Sequence, residues 1–233
     1  MAPVTDKGPR DVAIWDLPTR LFHWALVAFV ACNLFFISPR GGLHTLLHFI
    51  AGFAIAGLLL FRLTWGFIGS PRSRFADFLR PWQAVKNYVG RLVRFDPPHS
   101  IGHNPLGGWM VAVLLACLTG IVATGLFATG RRAAGPFAHL LAPAQSHQVG
   151  EVHQLISNLL IGLVALHVAG VLVDWLLTRD NLVMAMITGR KRLSPANAAN
   201  EAALVPFSRA IVTGVLAVLL FVTLILITNF GNP

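Results

Sequence analysis

The sequence predicts an all-α membrane protein in which four transmembrane helices form an antiparallel bundle and a fifth follows at the C-terminal end. Of the 233 residues, 55% are hydrophobic and only 12% are charged, about half the charged share of a soluble domain. The mean hydropathy is +0.69. Five apolar runs approach the roughly 20 residues that cross a bilayer as a helix. Because lipid offers the backbone no hydrogen bonds, these runs are predicted to be helical.

The five spans are predicted at about residues 21–37, 43–68, 106–129, 149–177 and 211–230. Between the second and third spans, apolar residues such as Phe78, Trp82 and Val89 recur at helical spacing with basic residues between them. Residues 72–94 are therefore predicted to form a helix in the cytoplasmic interface of the membrane. An ordinary surface helix packed on the ends of the bundle is the alternative.

The basic residues predict the orientation. A net charge of +9 and a pI of about 11.2 would suggest nucleic acid in a soluble protein. Here most basic residues lie in alternate connections, so we expect a lipid bilayer and no nucleic acid as the partner. The positive-inside rule then places the N-terminus in the cytoplasm and the C-terminus outside. The cytoplasmic set is Lys7, Arg10, Arg20, Arg72, Arg74, Arg80, Lys86, Arg91, Arg94, Arg179, Arg190, Lys191, Arg192 and Arg209.

The fourth span, in the stretch EVHQLISNLLIGLVALH, carries His153 and His167. Fourteen residues of α-helix are nearly four whole turns and span about 21 Å. The two imidazoles therefore face nearly the same way, one toward each side of the membrane.

Depth indicates their partners on other helices. The first span runs outward, so His23 near its start shares the cytoplasmic level with His167. The second span runs inward, so His44 and His48 near its start share the outer level with His153. Two stacked His–His sites are predicted, and depth alone does not separate His44 from His48.

Pairs of imidazoles in an apolar bundle, without an acidic ligand nearby, suit haem iron. Zinc usually takes four ligands, often including cysteine or a carboxylate. A proton relay would normally add an acidic residue, and Asp174 is the one acidic residue near the interior of a span. The chain has no C-x-x-C-H sequence, which excludes covalent c-type attachment.

Four stretches, in chain order, resemble one family: WDLPTRLFHW, HFIAGFAIAGLLLFRLTWGFIGSPRSRF, GHNPLGGWM and HQLISNLLIGLVALH. They are similar to the bacterial membrane b-type cytochromes that include cytochrome b561 and the cytochrome b subunit of nickel–iron hydrogenase. The resemblance covers about residues 12–190, which are predicted to form the di-haem domain. Residues 191–233 would be a linker and the extra span, which has no histidine and is assigned no haem.

The resemblance implies two non-covalent b haems whose iron atoms are bound by the pairs His23/His167 and His48/His153. It selects His48 over His44 through the glycine four residues on. It also implies a quinone as substrate and a place in the bacterial inner membrane. Arg20 and Arg62 could pair with haem propionates. Interface anchoring or contact with lipid headgroups is an equal alternative for Arg20. For Arg62, which lies deeper in its helix, a buried acidic partner is favoured over lipid.

An iron with two histidine ligands has no open position, which favours electron transfer over oxygen activation. We therefore expect a di-haem cytochrome that passes electrons between the quinone pool and a periplasmic partner, such as a c-type cytochrome or a dehydrogenase. No residue pattern assigns a catalytic residue.

Two other functions remain open. The first is a superoxide:ubiquinone oxidoreductase in which Arg131 and Arg132 steer the anion, although the same two residues could contact an acidic protein. The second is a haem-free transporter or scaffold. His103, before the third span, is expected to form a hydrogen bond at the helix entry rather than to belong to a quinone site.

Overall fold

The computed structural model describes residue 8 and residues 10–36, 42–130, 133–193 and 207–230. These residues are mostly helical, and five of their helices are long and apolar enough to cross a membrane: α1, α2, α5, α6 and α8. The predicted class, an all-α membrane protein, is confirmed. The helices are α1 (Leu17–Phe36), α2 (Gly42–Ile68), α3 (Phe75–Phe78), α4 (Trp82–Val93), α5 (Pro105–Phe127), α6 (Pro143–Thr178), α7 (Leu182–Thr188) and α8 (Phe207–Phe230).

The ends of the spans agree with the sequence to within four residues, except at the start of α6. That helix begins at Pro143 rather than near residue 149. Its first turns are polar, so the apolar run of the span begins later than the helix. Proline suits the first turn because its missing N–H would have no helical partner there. The backbone N–H of Ala142 donates to the side chain of Gln145 at 3.1 Å, which begins the helix.

Long helices that follow one another in the chain pack together, α1 against α2 and α5 against α6. Helix α2 also contacts α5 and α8. Phe22, Leu59, Leu115 and Leu160 come from four different spans and meet in one apolar core. The outward faces of the spans carry many exposed Leu, Ile and Val side chains, as expected for surfaces that face lipid.

The fifth span packs closely on α2 at Gly57. A Cβ atom at this position would lie 2.8 Å from the carbonyl oxygen of Ala217 in α8. Close backbone approach at a glycine is a common way for membrane helices to associate. The added span is thus packed against the bundle.

The end of the bundle at which α1 begins is called the near end, and the opposite end the far end. At the near end the carboxylate of Asp16 accepts hydrogen bonds from the backbone of Thr19 at 2.9 Å and from the indole of Trp65 at 3.0 Å. It also accepts one from Ser73 at 3.3 Å. These contacts tie the start of α1 to the end of α2.

Helix α4 lies at the near end and is amphipathic. Val85 and Tyr88 are buried, and the Tyr88 hydroxyl donates to Asp174 of α6 at 2.9 Å. Trp82 and Val93 are 62% and 71% exposed. The helix predicted within residues 72–94 is therefore present, and its position in the membrane interface remains a prediction.

A two-stranded antiparallel sheet, which the sequence did not predict, closes the near end. Strand β1 (Arg10–Ala13) pairs with β2 (Arg190–Leu193). Beside it Lys191 forms an ion pair with Asp180 at 2.7 Å, and His99 contacts the same carboxylate at 3.0 Å. Although burial raises the pKa of Asp180, the hydrogen bonds with Lys191 and His99 outweigh it and lower that pKa.

Candidate functional site

At the far end, α2 and α6 bring the half-buried rings of His48 and His153 together. The ring centroids are 6.3 Å apart and the ring planes are inclined at 84°. An imidazole nitrogen binds a metal at about 2.0–2.1 Å, so two rings on opposite sides of one metal ion, with a ring radius added on each side, have centres about 6 Å apart. The observed separation therefore fits one metal ion between the rings.

The second nitrogen of His153 is held by α5. His153 Nδ1 lies 3.0 Å from the carbonyl oxygen of Ile121 and 3.1 Å from the hydroxyl of Thr124. A carbonyl only accepts, so Nδ1 carries the proton and donates it to Ile121. Nε2 is then the unprotonated nitrogen, which is the form that binds a metal. Histidines that bind metals commonly donate their other ring N–H to a carbonyl or carboxylate in this way.

Glycines leave room beside both rings of the far-end pair. A Cβ atom on Gly125 of α5 would lie 3.0 Å from Cε1 of His153, so the absence of a side chain lets α5 lie against the ring. A Cβ atom on Gly52, one turn after His48, would have no heavy atom within 4 Å. There is thus open space next to His48.

His44 lies one turn before His48 on α2 and is half-buried. The described ring contact with His153 is made by His48. This geometry supports the choice of His48 that the family resemblance made.

At the near end the structure gathers His23, His167, Arg62 and His103. His23 and His167 interact electrostatically. The pKa of His103, which lies in the connection before α5, is lowered to about 3, chiefly because its ring is buried and also because Arg62, His167 and His23 are close. His103 is packed between Trp15 and Phe78, with ring centroids 4.6 and 5.0 Å away.

Several buried nitrogen atoms at the near end have no hydrogen-bond partner among the residues that the structure describes. They are Arg20 Nε, His23 Nδ1, Arg62 Nη1 and His103 Nδ1. A buried polar group without a partner costs free energy, and the cost is larger when the group is charged. These four atoms are what a bound group with an iron atom and hydrogen-bond acceptors would contact at this end of the bundle.

The expected hydrogen bond of His103 at the helix entry is wrong. Asn104 caps α5 instead, since its Oδ1 accepts from the backbone of Gly107 at 2.6 Å. Asn104 Nδ2 also donates to Asp174 at 3.0 Å, so Asp174 links α5 and α6 with Tyr88 of α4. The acidic residue that interacts with Arg62 is Asp16.

Two further points concern larger metal clusters and the arginine pair of the superoxide hypothesis. Within the described part of the chain, no group of three or more His, Cys, Asp or Glu side chains could hold a metal ion. The pair Arg131 and Arg132, on which the superoxide hypothesis rests, falls outside that part.

Comparison with known families identifies the family of the chain. A family model described as prokaryotic cytochrome b561 matches residues 14–189. The chain belongs to the prokaryotic cytochrome b561 family. This confirms the resemblance read from the four sequence stretches. The protein is therefore a multi-pass membrane cytochrome of b type, for which the family implies haem b and electron transfer.

This cytochrome is similar in sequence to several proteins named as probable Ni/Fe-hydrogenase B-type cytochrome subunits. The protein from Azotobacter vinelandii is 27% identical over 214 residues, which cover 76% of this chain and 87% of the relative. The one from Azotobacter chroococcum mcd 1 is 26% identical, with 76% and 87% covered. The Ni/Fe-hydrogenase 1 subunit of Escherichia coli (strain K12) is 25% identical, with 76% and 88% covered. No solved structure matches significantly.

Replacing Gly125 with valine should lower the haem content. The new side chain would enter the space of the His153 ring and turn it away from His48. The ratio of haem to protein, measured by pyridine haemochrome, should fall, whereas it should stay unchanged in Gly120→Ala. The control residue lies on the same helix, and its Cβ would make only an ordinary contact of 3.6 Å with Ile156. A normal haem content in Gly125→Val would contradict the assignment.

Proposed function

We propose that this cytochrome holds two b haems, one between His48 and His153 and one between His23 and His167, and transfers electrons between the quinone pool and a periplasmic redox partner. The observation that carries the proposal is the far-end pair, with rings 6.3 Å apart and the proton of His153 directed to Ile121. Residues 12–190 would form the haem-binding domain, and α8, which has no histidine, would bind none.

A haem b with two imidazole ligands takes up and releases one electron without an open coordination position. The chain supplies the ligands, the separation between the two haems and the apolar surroundings. Helix α6 carries one ligand of each site, and the 14 residues between His153 and His167 separate the two levels by about 21 Å. Apolar side chains such as Leu115 and Leu160 fill the core between the spans and keep water out. Bis-histidine ligation at both levels favours electron transfer over the binding of oxygen.

The proposed orientation rests on the basic residues at the near end. Arg80, Lys86, Arg91 and Arg94 are all exposed there, which supports a cytoplasmic near end in the inner membrane of a bacterium. The C-terminus would then lie in the periplasm. The far-end site would face a periplasmic partner, a c-type cytochrome or a dehydrogenase. The relatives are named as probable B-type cytochrome subunits of Ni/Fe-hydrogenases, which supports a redox enzyme as the partner.

Removing the ligands one at a time tests the number of haems. His153→Ala should lose the far-end haem and His167→Ala the near-end haem, so the haem-to-protein ratio should fall from two to about one in each. His147→Ala, an exposed histidine on the same helix, should keep the wild-type ratio. A ratio that stays near two in either ligand variant would contradict the proposed pairs.

Electron exchange with quinone is tested by rapid mixing. The oxidised full-length protein in lipid nanodiscs is mixed without oxygen with a short-chain quinol, and haem reduction is followed by its absorption. We expect reduction in the wild type and loss of most of the signal in a variant that lacks both His153 and His167. If several quinols of different potential leave the haems oxidised, and reduced protein does not reduce the matching quinones, the quinone is not a substrate.

A further inference from the structure

Arg62 is a buried cation whose charge the chain only partly compensates. It is 2% exposed inside the membrane-spanning helix α2, less than two turns before the helix ends at Ile68. Among the described residues its Nη1 has no hydrogen-bond partner. The guanidinium carbon lies 5.4 and 5.5 Å from the ring centroids of Phe75 and Phe78. Cation–π contacts stabilise a cation but use none of its hydrogen-bond donors. A charged group in this setting normally has an anion bound to it.

The nearby carboxylate of Asp16 is occupied by other groups. Its two oxygens accept from the backbone N–H of Thr19, the indole N–H of Trp65 and the hydroxyl of Ser73. Asp16 attracts Arg62 electrostatically, but no hydrogen bond between the two is present among the described residues. The donors of Arg62 are therefore left for another acceptor.

The helix repeat places Arg62 at the level of the near-end histidines. Arg62 follows His48 on α2 by 14 residues, and His167 follows His153 on α6 by 14 residues. The second and fourth spans run in the same direction, and His48 and His153 meet at the far end. Four turns later, Arg62 and His167 therefore reach the same level on the same faces of their helices. Both interact electrostatically with His103.

His103 adds a second nitrogen to this site. Its ring is fixed between Trp15 and Phe78, and Phe78 is also one of the two rings that contact Arg62. His103 Nδ1 is buried and has no hydrogen-bond partner within the described part of the chain. Arg62 and His103 thus both contact the ring of Phe78, and each has a nitrogen without a partner among the described residues, close to His23 and His167.

We propose that Arg62 and His103 bind a carboxylate of the near-end haem, and that the charge of Arg62 raises the midpoint potential of that haem. The inference rests on the proposed function, because it requires a haem between His23 and His167. A cation close to the iron stabilises the reduced haem, which carries one positive charge less than the oxidised haem. The guanidinium also suits a carboxylate because it can donate two parallel hydrogen bonds.

Redox titration of the full-length protein in nanodiscs tests the effect of the charge. In a His153→Ala background, which retains only the near-end haem, Arg62→Gln should lower the ratio of reduced to oxidised haem about tenfold at a fixed ambient potential, a shift of about 59 mV. Arg62→Lys keeps the charge and should stay close to the parent. Arg80→Gln removes an exposed charge at the same end and should leave the ratio unchanged. An unchanged potential in Arg62→Gln would overturn the proposal.

A second measurement tests the carboxylate itself. Full-length protein purified without haem is titrated with haem and with haem dimethyl ester, whose carboxylates are blocked. In the same His153→Ala background, the parent protein should prefer haem by tenfold or more, and Arg62→Gln should lose most of this preference. His103→Phe keeps a ring between Trp15 and Phe78 and should lose part of it. An equal preference in the parent and Arg62→Gln would show that another residue binds the carboxylate.

The outcomes separate this proposal from the proposed function. If His153→Ala binds no haem, the near-end site itself is absent and the proposed function is wrong. If it binds one haem whose potential and ester preference do not depend on Arg62, only the present inference is wrong. If Arg62→Gln fails to accumulate, Arg62→Lys is compared with the parent at the same ambient potential. A ratio of reduced to oxidised haem that falls about tenfold despite the retained charge contradicts the electrostatic effect.

Discussion

The hydrogen bond from His153 Nδ1 to the carbonyl oxygen of Ile121 is the interaction on which the far-end site depends. It joins a side chain of α6 to the backbone of α5, and these two helices pack closely along their length. Ile121 lies inside α5, so its carbonyl has a fixed position and fixes the tautomer and the direction of the ring. Without this hydrogen bond, either nitrogen of His153 could carry the proton. The distance between the rings of His48 and His153 would then not show which nitrogen is available to bind a metal. Gly125 allows the two helices to come close enough for this bond.

The two ends of the bundle differ in character. At the far end, two half-buried rings face each other and the neighbouring glycines leave space. At the near end, buried nitrogen atoms without partners surround the histidines, and carboxylates such as Asp16 and Asp174 are already bound by neutral donors. If the two ends were equivalent, the histidines at each end would have the same kinds of neighbouring residues. The buried charge of Arg62 therefore gives the near end an electrostatic environment that the far-end pair lacks among the described residues.

The sequence predicted the features that depend on local pattern. Apolar runs marked the five spans, and the 14-residue interval on one helix was enough to place two histidines at two depths. The choice between His44 and His48 needed the family resemblance, because both lie at the same end of α2. The near end was hardly predictable: the bonds of Asp174 with Tyr88 and Asn104 join three distant segments. Strands β1 and β2 are four residues each and lie about 180 residues apart along the chain, so no local pattern marks their pairing.

Electron paramagnetic resonance of the oxidised wild-type protein tests the central claim most directly, because the spin state of ferric haem reports its axial ligands. Two imidazoles on each iron predict low-spin signals only, from two distinguishable haems. Nearly perpendicular ring planes, as for His48 and His153 at 84°, predict a strongly anisotropic signal for the far-end haem. A dominant high-spin signal in the intact protein would mean that an iron has an open or weakly held position, and would contradict paired histidines at both levels.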